Sequence, residues 1–448
     1  MSHDTWLLVS AALSIVVLLM LVIRWRMHAF VALLLVSIVV GLITGMPLGD
    51  IIDTIQAGMG GTLGFVATVV GLGAMFGAML EVSGGVDRLA STLMRYFGES
   101  RAQWALSIAG FLIAIPVFLD VAFVILVPLI YALTRRTGKP LLFYGIPLVA
   151  GLGVTHGFIP PTPGPIAVAD LLGANIGFVI LFGAIAGIPA MLIAGPMFGS
   201  FISKRIQTGI PDYIDLPAVR DNDADLPSFK MIFSILMLPL VLILFNTASG
   251  MILDENNLIA QVLSFIGDPI VALLIATLVS FVALGTKRGL SRDDVMKVAT
   301  KSLEPVGLII LVTGAGGAFK QTLIDSGVGD VMGDMMAGSA LPPLVLAFLI
   351  ALGVRVIQGS LTVAMITAAG LMAPLVDTLG LEGPILALMV IAIASGATAL
   401  SHVNDSGFWL VSRYFGLTEA QTLKSWTVME TIIGVVGLVM CLLIAMFI

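Results

Sequence analysis

Long apolar runs separated by short polar connections extend along almost the whole chain. Segments of about 20 residues, the length that a helix needs to cross a bilayer, are predicted at about 6–23, 29–46, 61–82 and 177–201, and again at about 229–248, 269–285, 304–324 and 426–448. A polar linker at 203–228 separates the two sets. The pattern predicts an all-α polytopic membrane protein.

Two further apolar segments, at about 107–133 and 342–375, carry helix-breaking or polar residues in their middle. The first is roughly 27 residues long, which is long for one crossing and short for two. We therefore expect each segment to be a re-entrant hairpin, which dips into the membrane and returns to the side it entered.

Two more apolar segments, at about 141–175 and 383–412, are predicted to be broken helices. Their interruptions read GVTHGFIPPTPG over 153–164 and GATALSHVNDSG over 396–407. Proline lacks a backbone N–H and glycine is conformationally loose, so we do not expect the first stretch to continue a helix. Unwound backbone at membrane depth is tolerated only where it is buried in protein or lines a wet cavity. We expect the two breaks to face each other and to hold a substrate.

The second half of the chain repeats the first at a constant offset of 243 residues. The matches include Gly153, Thr155 and Gly164, which recur as Gly396, Thr398 and Gly407. We divide the chain into a first repeat at 1–202, a cytoplasmic linker at 203–228 and a second repeat at 229–448. A hairpin adds no net crossing, so each repeat crosses five times. Because five is odd, the two repeats are predicted to be inverted relative to each other.

The basic residues test this topology independently. On it, 19 of the 21 lysines and arginines lie on one side of the membrane, and the opposite loops contain acidic residues but no lysine or arginine. The positive-inside rule makes the basic side cytoplasmic, which places both termini on the outer side.

The amino-acid composition argues against several functional classes for this chain. The chain is 59% hydrophobic and only 11% charged, against about 25% charged in soluble proteins. Its single cysteine, Cys441, allows no intramolecular disulfide, and its four histidines show no zinc-enzyme spacing. No glycine-rich loop ends in Gly-Lys-Ser or Gly-Lys-Thr, so nothing indicates a nucleotide-driven pump. We expect no metal, no other cofactor and no nucleic-acid partner.

Two basic residues, Lys320 and Arg355, lie at membrane depth in this topology. A cation there costs about 3 kcal/mol or more unless it is paired or hydrated. Either residue could attract an anionic substrate, and an arginine can grip a carboxylate through two hydrogen bonds. The alternatives left open are snorkelling to the membrane edge and an internal ion pair, with Asp120, Glu304 or Asp405.

The hairpin tips and the breaks supply the other candidate residues. Helix ends inside the membrane leave free N–H groups that suit an anion, and hydroxyl and amide groups can bind a sugar-like ligand. Asp120, Asp405 and His156 are the candidates for carrying a coupling proton. The predicted substrate-binding residues are Thr155, His156, Thr162, Arg355, Gln358, Ser360, Thr362, Ser401, His402, Asn404 and Asp405.

The runs MHAFVALLLVSIVVGLITGMPL, GMGGTLGF, VTHGFIPPTPGP, GAGGAFKQTLIDSG and SHVNDSGFW resemble the gluconate:proton symporter family of gluconate permeases. The resemblance implies proton-coupled uptake of gluconate or a similar sugar acid across a bacterial inner membrane. It also implies the ion transporter superfamily, with inverted repeats, paired hairpins and dimers that move as elevators. Thr162 stands where the family pattern has histidine and Asp120 where it has glutamate, so the substrate could be a relative of gluconate, such as another aldonate or a hexuronate.

Three other functions stay open at this point. One is a proton-coupled carrier of another small carboxylate, such as D-serine. Another is an intramembrane enzyme acting on a lipid-linked acid, which would need an acid–base or metal constellation that these histidines do not offer. The third is a channel, although two inverted repeats with broken helices suit alternating access better than an open pore.

Overall fold

The computed structural model of the protein describes residues 3–211, 226–253, 257–304, 306–328, 341–403 and 405–448. These residues are helical wherever they form regular structure. In the first half the helices are α1 (His3–Ile23), α2 (Ala29–Thr44), α3 (Leu48–Val82), α4 (Gly85–Phe97), α5 (Ala102–Ile113), α6 (Leu119–Thr137), α7 (Leu141–Phe158), α8 (Pro163–Leu172) and α9 (Ile176–Ile202).

The second half contains a similar series. Its helices are α10 (Phe229–Ile252), α11 (Leu258–Ile266), α12 (Pro269–Arg288), α13 (Arg292–Lys301), α14 (Val306–Asp325), α15 (Pro343–Gln358), α16 (Leu361–Thr378), α17 (Pro384–Thr398), α18 (Ser406–Phe415) and α19 (Glu419–Ala445). In the described residues, 7 helical stretches are long and apolar enough to cross a membrane. The protein is therefore an all-helical, multi-pass membrane protein.

Helix α3 differs from its predicted bounds. It begins at Leu48 rather than at about residue 61 and has 35 residues. Its extra turns contain polar residues and glycines, which lowered the hydropathy of this stretch. The glycines pack: a Cβ added at Gly58 would lie 2.5 Å from the Gly317 carbonyl oxygen of α14. Here glycine allows two helices to touch closely, as is common in membranes, and does not break the helix.

The first break is also shorter than predicted. Helix α7 continues through Gly153 and Gly157 and ends at Phe158, so only residues 159–162 separate it from α8. This corrects the expectation that the helix would unwind from residue 153. Gly157 faces Thr398 of α17. A Cβ added at Gly157 would lie only 3.0 Å from the Oγ1 atom of Thr398. The prolines cause the break, because Pro160 and Pro161 cannot donate a backbone hydrogen bond, whereas Pro163 opens α8, where no donor is needed.

Helices α7 and α17 form the centre of the molecule, since nearly all of their side chains are buried. Helices α5, α9, α15 and α19 pack around them. Helices α2, α3, α12 and α14 pack on one another in a second group. The two groups meet mainly where α8 and α16 contact α3 and α14.

Several elements recur at the 243-residue offset. Helices α8 and α18 begin at Pro163 and Ser406, and α9 and α19 each span 27 residues from Ile176 and Glu419. The glycines that follow α8 and α18 are both left-handed, with φ of 68° at Gly173 and 62° at Gly416. Only glycine adopts this conformation routinely. The two halves therefore share their breaks and helix ends as well as their sequence matches.

Candidate functional site

A cavity of about 520 Å³ lies among the interrupted helices near the centre of the molecule. Its wall comes from the α5–α6 turn, the end of α7, the α15–α16 turn, the start of α18 and two residues of α19. The first turns of α14 close one side with apolar side chains. The cavity thus brings together both helix turns, the end of α7 before the first break, and the second break.

Several helix ends contribute backbone polar groups to the wall of this cavity. The first residues of α6, α16 and α18 reach the wall, as do the last turns of α7 and α15. A helix start carries free N–H groups and partial positive charge. The start of α6 has no side-chain cap, so its N–H groups are available to an anion in the cavity.

Arg355 is the fixed cation of the site. It lies in the last turn of α15, and its side chain is only 2% exposed. Its Nη2 donates to Asp405 Oδ2 at 2.5 Å, and its Nη1 donates to the carbonyl oxygen of Gly359. Arg355 therefore ties the α15–α16 turn to the second break.

Asp405 is held from several directions. Its Oδ2 also accepts from Ser401 Oγ at 2.5 Å, and its Oδ1 accepts from the backbone N–H of Gly407 at 3.0 Å. The indole N–H of Trp426 donates to Ser401 Oγ at 2.7 Å, and Thr427 Oγ1 donates to the Ser401 carbonyl. The hydrogen bond to Gly407 caps the start of α18. The second break is thus organised around one carboxylate.

Of the partners that the sequence left open for Arg355, the structure selects Asp405. Glu304 lies elsewhere, beside a separate cavity that also contacts Lys301. Asp120 lies in the central cavity, and no ion pair joins it to Arg355 in the described part of the chain. Arg355 is consequently not a free carboxylate clamp, although its Nε finds no acceptor among the described residues.

Several other predicted residues face the cavity. Asp120, His156, Gln358, Ser360 and Thr362 all contribute to its wall. His156 Nδ1 and Gln358 Oε1 are buried, and the described residues offer them no hydrogen-bond partner. Buried polar atoms are usually satisfied, so these two atoms are candidates for contacting a bound molecule.

The structure does not bring the remaining predicted residues into the cavity wall. Thr155 Oγ1 donates to the Phe111 carbonyl at 2.8 Å, and Thr162 Oγ1 donates to the Ile159 carbonyl at 2.6 Å. Ser401 lies behind Asp405 and is fully buried. His402 Nδ1 lies 3.0 Å from the Leu400 carbonyl oxygen, away from the cavity. Asn404 lies outside the described residues.

Lys320 is also not among the described residues that line the cavity. It is a half-buried residue of α14, and its charge acts on Asp170 of α8. Because α8 and α14 belong to different sides of the contact between the two helix groups, Lys320 relates to that contact rather than to the cavity.

The sequence reasoning missed two cavity residues of α19 whose side chains can hydrogen-bond, Trp426 and Glu430. Both lie on α19, which is continuous and so carries neither a break nor a turn to draw attention. The available signal was Glu430 itself, an acid inside an apolar segment, since such residues are functional candidates by default. Glu430 is 2% exposed.

A second cavity, of about 330 Å³, lies on the other side of the α5–α6 turn. Phe118 and Val121 contribute to the walls of both cavities, and Glu81, Lys301 and Glu304 line only the second. The turn before α6 therefore separates the central cavity from a second space near α13 that has charged residues of its own.

Comparison with known proteins places these features in context. A model of GntP family permeases matches residues 6–447. The chain is 45% identical over 431 residues to the low-affinity gluconate transporter of Escherichia coli strain K12, with 96% of each chain covered. It is 41% identical over 447 residues to the gluconate permease of Pseudomonas aeruginosa, covering 100% of this chain and 99% of that protein. The crystal structure of the Alcanivorax borkumensis YdaH transporter is similar in fold, with a TM-score of 0.68 over 94% of this chain and 99% of that chain at 15% identity.

Proposed function

The chain belongs to the GntP family of permeases, and we propose that it imports gluconate or a closely related sugar acid by proton symport. The related acids are other aldonates and hexuronates such as fructuronate. As a member of this family it is a transporter and not an enzyme. The observation that carries the proposal is the polar cavity between the two helix turns and the second break.

The size and lining of the cavity suit a small hydroxy acid. Its volume of about 520 Å³ falls within the roughly 300–1,000 Å³ of small-molecule sites. Gln358, Ser360 and Thr362 supply donors and acceptors for hydroxyl groups. The helix starts at the wall favour the carboxylate.

The charge balance of the cavity supports proton coupling. Asp120, Asp405 and Glu430 contribute three carboxyl groups, whereas Arg355 is the one fixed cation that the described residues place in its wall. An anionic substrate would add a further negative charge in a partly desolvated space, where like charges repel strongly. Binding a proton together with the anion removes that cost, so uptake of the two is expected to be linked.

The packing supports alternating access by relative movement of two helix groups. We propose that α2, α3, α12 and α14 form a scaffold and that the group centred on α7 and α17 carries the cavity as an elevator. The recurrence of breaks and helix ends at one offset supports two inverted repeats with re-entrant hairpins at α5–α6 and α15–α16. A homodimer in a bacterial inner membrane, with both termini periplasmic, completes the proposal.

Uptake of labelled gluconate into vesicles tests the function directly. With one proton per anion, a gradient of one pH unit is worth about 1.4 kcal/mol and supports about tenfold accumulation. We expect accumulation with the gradient and only equilibration without it. Uptake that does not change when the gradient is collapsed would contradict proton coupling. Absence of saturable gluconate uptake would contradict the proposed substrate.

A competition panel resolves the substrate class. We expect unlabelled aldonates and hexuronates to compete with gluconate, because the cavity offers hydroxyl-binding groups in addition to its anion-binding helix starts. D-Serine would compete as well as gluconate only if the site recognised an ammonium group, and the result then favours a carrier of other small carboxylates.

A further inference from the structure

We propose that Glu430 is the residue that binds the coupling proton, a role that rests on the proposed symport. The carboxyl group of Glu430 takes up a proton from the side on which the substrate enters and releases it on the other side. No bond other than this O–H bond forms or breaks.

The surroundings of Glu430 suit a reversible proton site. Its side chain is 2% exposed and lines the cavity wall from α19. Its Oε1 is buried and has no hydrogen-bond partner among the described residues. A carboxylate in such a place is costly when charged and unpaired, whereas the neutral acid carries no such cost. The surroundings therefore stabilise the protonated carboxyl group of Glu430, which still lines the cavity.

Gly153 of α7 makes the space that Glu430 occupies. A Cβ added at Gly153 would lie only 2.8 Å from Glu430 Oε1. The carboxyl group thus reaches across from α19 to the backbone of the first broken helix, beside His156 in the same last turns of α7. The position connects the proton site to both halves of the chain.

The charged and titratable groups around Glu430 come from four elements. Arg355 of α15 and Asp405 at the start of α18 act on its charge, and His156 of α7 and Asp120 of α6 line the same cavity. Helices α9 and α17 also pack on α19, and their sequences contain no ionisable side chain. A change of charge on Glu430 is therefore felt mainly by the groups that line the cavity.

The other acids are less suited to carry the proton. Asp405 accepts hydrogen bonds from Arg355, Ser401 and the Gly407 backbone, which all stabilise its ionised form. Asp120 is exposed to the cavity in the first turn of α6, where the helix start favours a negative charge.

His156 is the remaining rival. Burial opposes a positive charge on His156 most strongly, and repulsion from Arg355 adds to this, whereas the carboxylates of Asp120 and Asp405 favour the charge but do not outweigh the two. Protonation of Glu430 instead removes a negative charge from the wall that an incoming anion must approach. By linkage, the anion then strengthens proton binding as much as the proton strengthens anion binding.

The test uses purified full-length protein in liposomes, with Glu430→Gln as the variant that mimics the protonated state. Three quantities are measured: accumulation driven by a pH gradient, gluconate exchange between equal internal and external pools, and gluconate binding at several pH values. We expect wild type to accumulate about tenfold per pH unit for one proton. The variant should show no accumulation, retain exchange, and lose most of the pH dependence of binding.

Matched controls assign the effect to position. Glu419→Gln removes an exposed acid at the start of the same helix and should behave as wild type. Asp120→Asn and His156→Gln change other groups of the cavity wall, so we expect their gluconate affinity to fall while the pH dependence of gluconate binding remains. If either variant loses that pH dependence while Glu430→Gln keeps it, the proton site lies elsewhere and the inference is overturned.

Other outcomes are equally decisive. Loss of gluconate binding and exchange in a folded Glu430→Gln protein makes Glu430 a substrate ligand and overturns the inference. Should the glutamine variant fail to fold, Glu430→Asp is compared with wild type, and an unchanged pH profile of binding overturns it as well. If wild type itself neither binds nor accumulates gluconate, the proposed function has failed, and Glu430 is not at issue.

Discussion

The two breaks occupy corresponding places in the two halves, yet their chemistry differs. Asp405, which begins α18 and binds Arg355, corresponds at the 243-residue offset to Thr162, which begins α8 and bonds to the Ile159 carbonyl. Arg355 itself corresponds to Leu112, and Glu430 corresponds to Gly187. The second half thus carries ionisable groups where the first carries apolar or small ones.

The same backbone arrangement therefore supports helix packing in the first half and a charged network in the second. In the first half, Gly187 packs so closely that a Cβ would lie 2.7 Å from Val154 Cγ1, and Thr155 bonds to a neighbouring backbone carbonyl. These contacts hold helices together. In the second half the same positions build a charged network around the cavity. Within the described part of the first half, only Asp120 and His156 add ionisable groups to the wall.

The largest effect is expected when Arg355 of α15 is replaced by leucine, the residue at the corresponding position of the first half. Arg355→Leu leaves the Asp405 carboxylate buried without its cation, which typically costs about 3–5 kcal/mol. We expect a marked fall in the melting temperature of the purified protein and loss of gluconate uptake. Arg101→Leu, which removes an exposed arginine just before α5, should change neither quantity. Full transport by Arg355→Leu would contradict the role of this ion pair.

Removing both partners separates stability from function. The double variant Arg355→Leu with Asp405→Thr reproduces the residues of the first half and leaves no unpaired charge. Since replacement of a whole buried ion pair is often neutral, we expect the double variant to regain most of the stability that the single one loses. It should not regain uptake. A double variant that transports gluconate would show that the network is structural only.

A smaller effect is expected from the group that supports Asp405 indirectly. Trp426→Phe removes the N–H that donates to Ser401 Oγ at 2.7 Å while keeping an aromatic ring. Hydrogen bonds between membrane helices are worth about 0.6 kcal/mol on average, so the melting temperature should fall slightly. The KM for gluconate should rise about threefold, because Ser401 then orients Asp405 less firmly. Trp104→Phe, on the exposed side of α5, serves as the control.

Much of this asymmetry was visible in the sequence. Arg355 and Asp405 stand out because charges are costly inside apolar segments, and both lie in the site. The hydropathy pattern also predicted the long apolar helices of a multi-pass membrane protein, since a bilayer demands such helices. The offset of 243 residues identifies the corresponding positions from the sequence alone.

Side-chain direction was not visible in the same way. Thr155 and His156 are neighbours, yet His156 faces the cavity while Thr155 faces Phe111. Which of two adjacent residues points inward depends on the rotation of a helix about its axis, and α7 is buried on all sides, so it shows no polar face to indicate it. Glu430 was missed for a related reason, because a continuous helix gives no local sign of what it packs against.

The smallest effect is expected from Thr155, near the end of α7 and just before the first break. Thr155→Val removes the hydrogen bond from Oγ1 to the Phe111 carbonyl and keeps the shape of the side chain. Because this bond joins α7 to α5 and does not reach the cavity, we expect a loss near the membrane average of about 0.6 kcal/mol. The KM for gluconate and its pH dependence should stay at their wild-type values. Ser401→Ala, the matching loss of a buried hydroxyl next to the second break, should instead raise KM. If Thr155→Val raised KM as much as Ser401→Ala, the first break would contribute to recognition through its hydroxyl groups, and the division of roles between the two halves would be wrong.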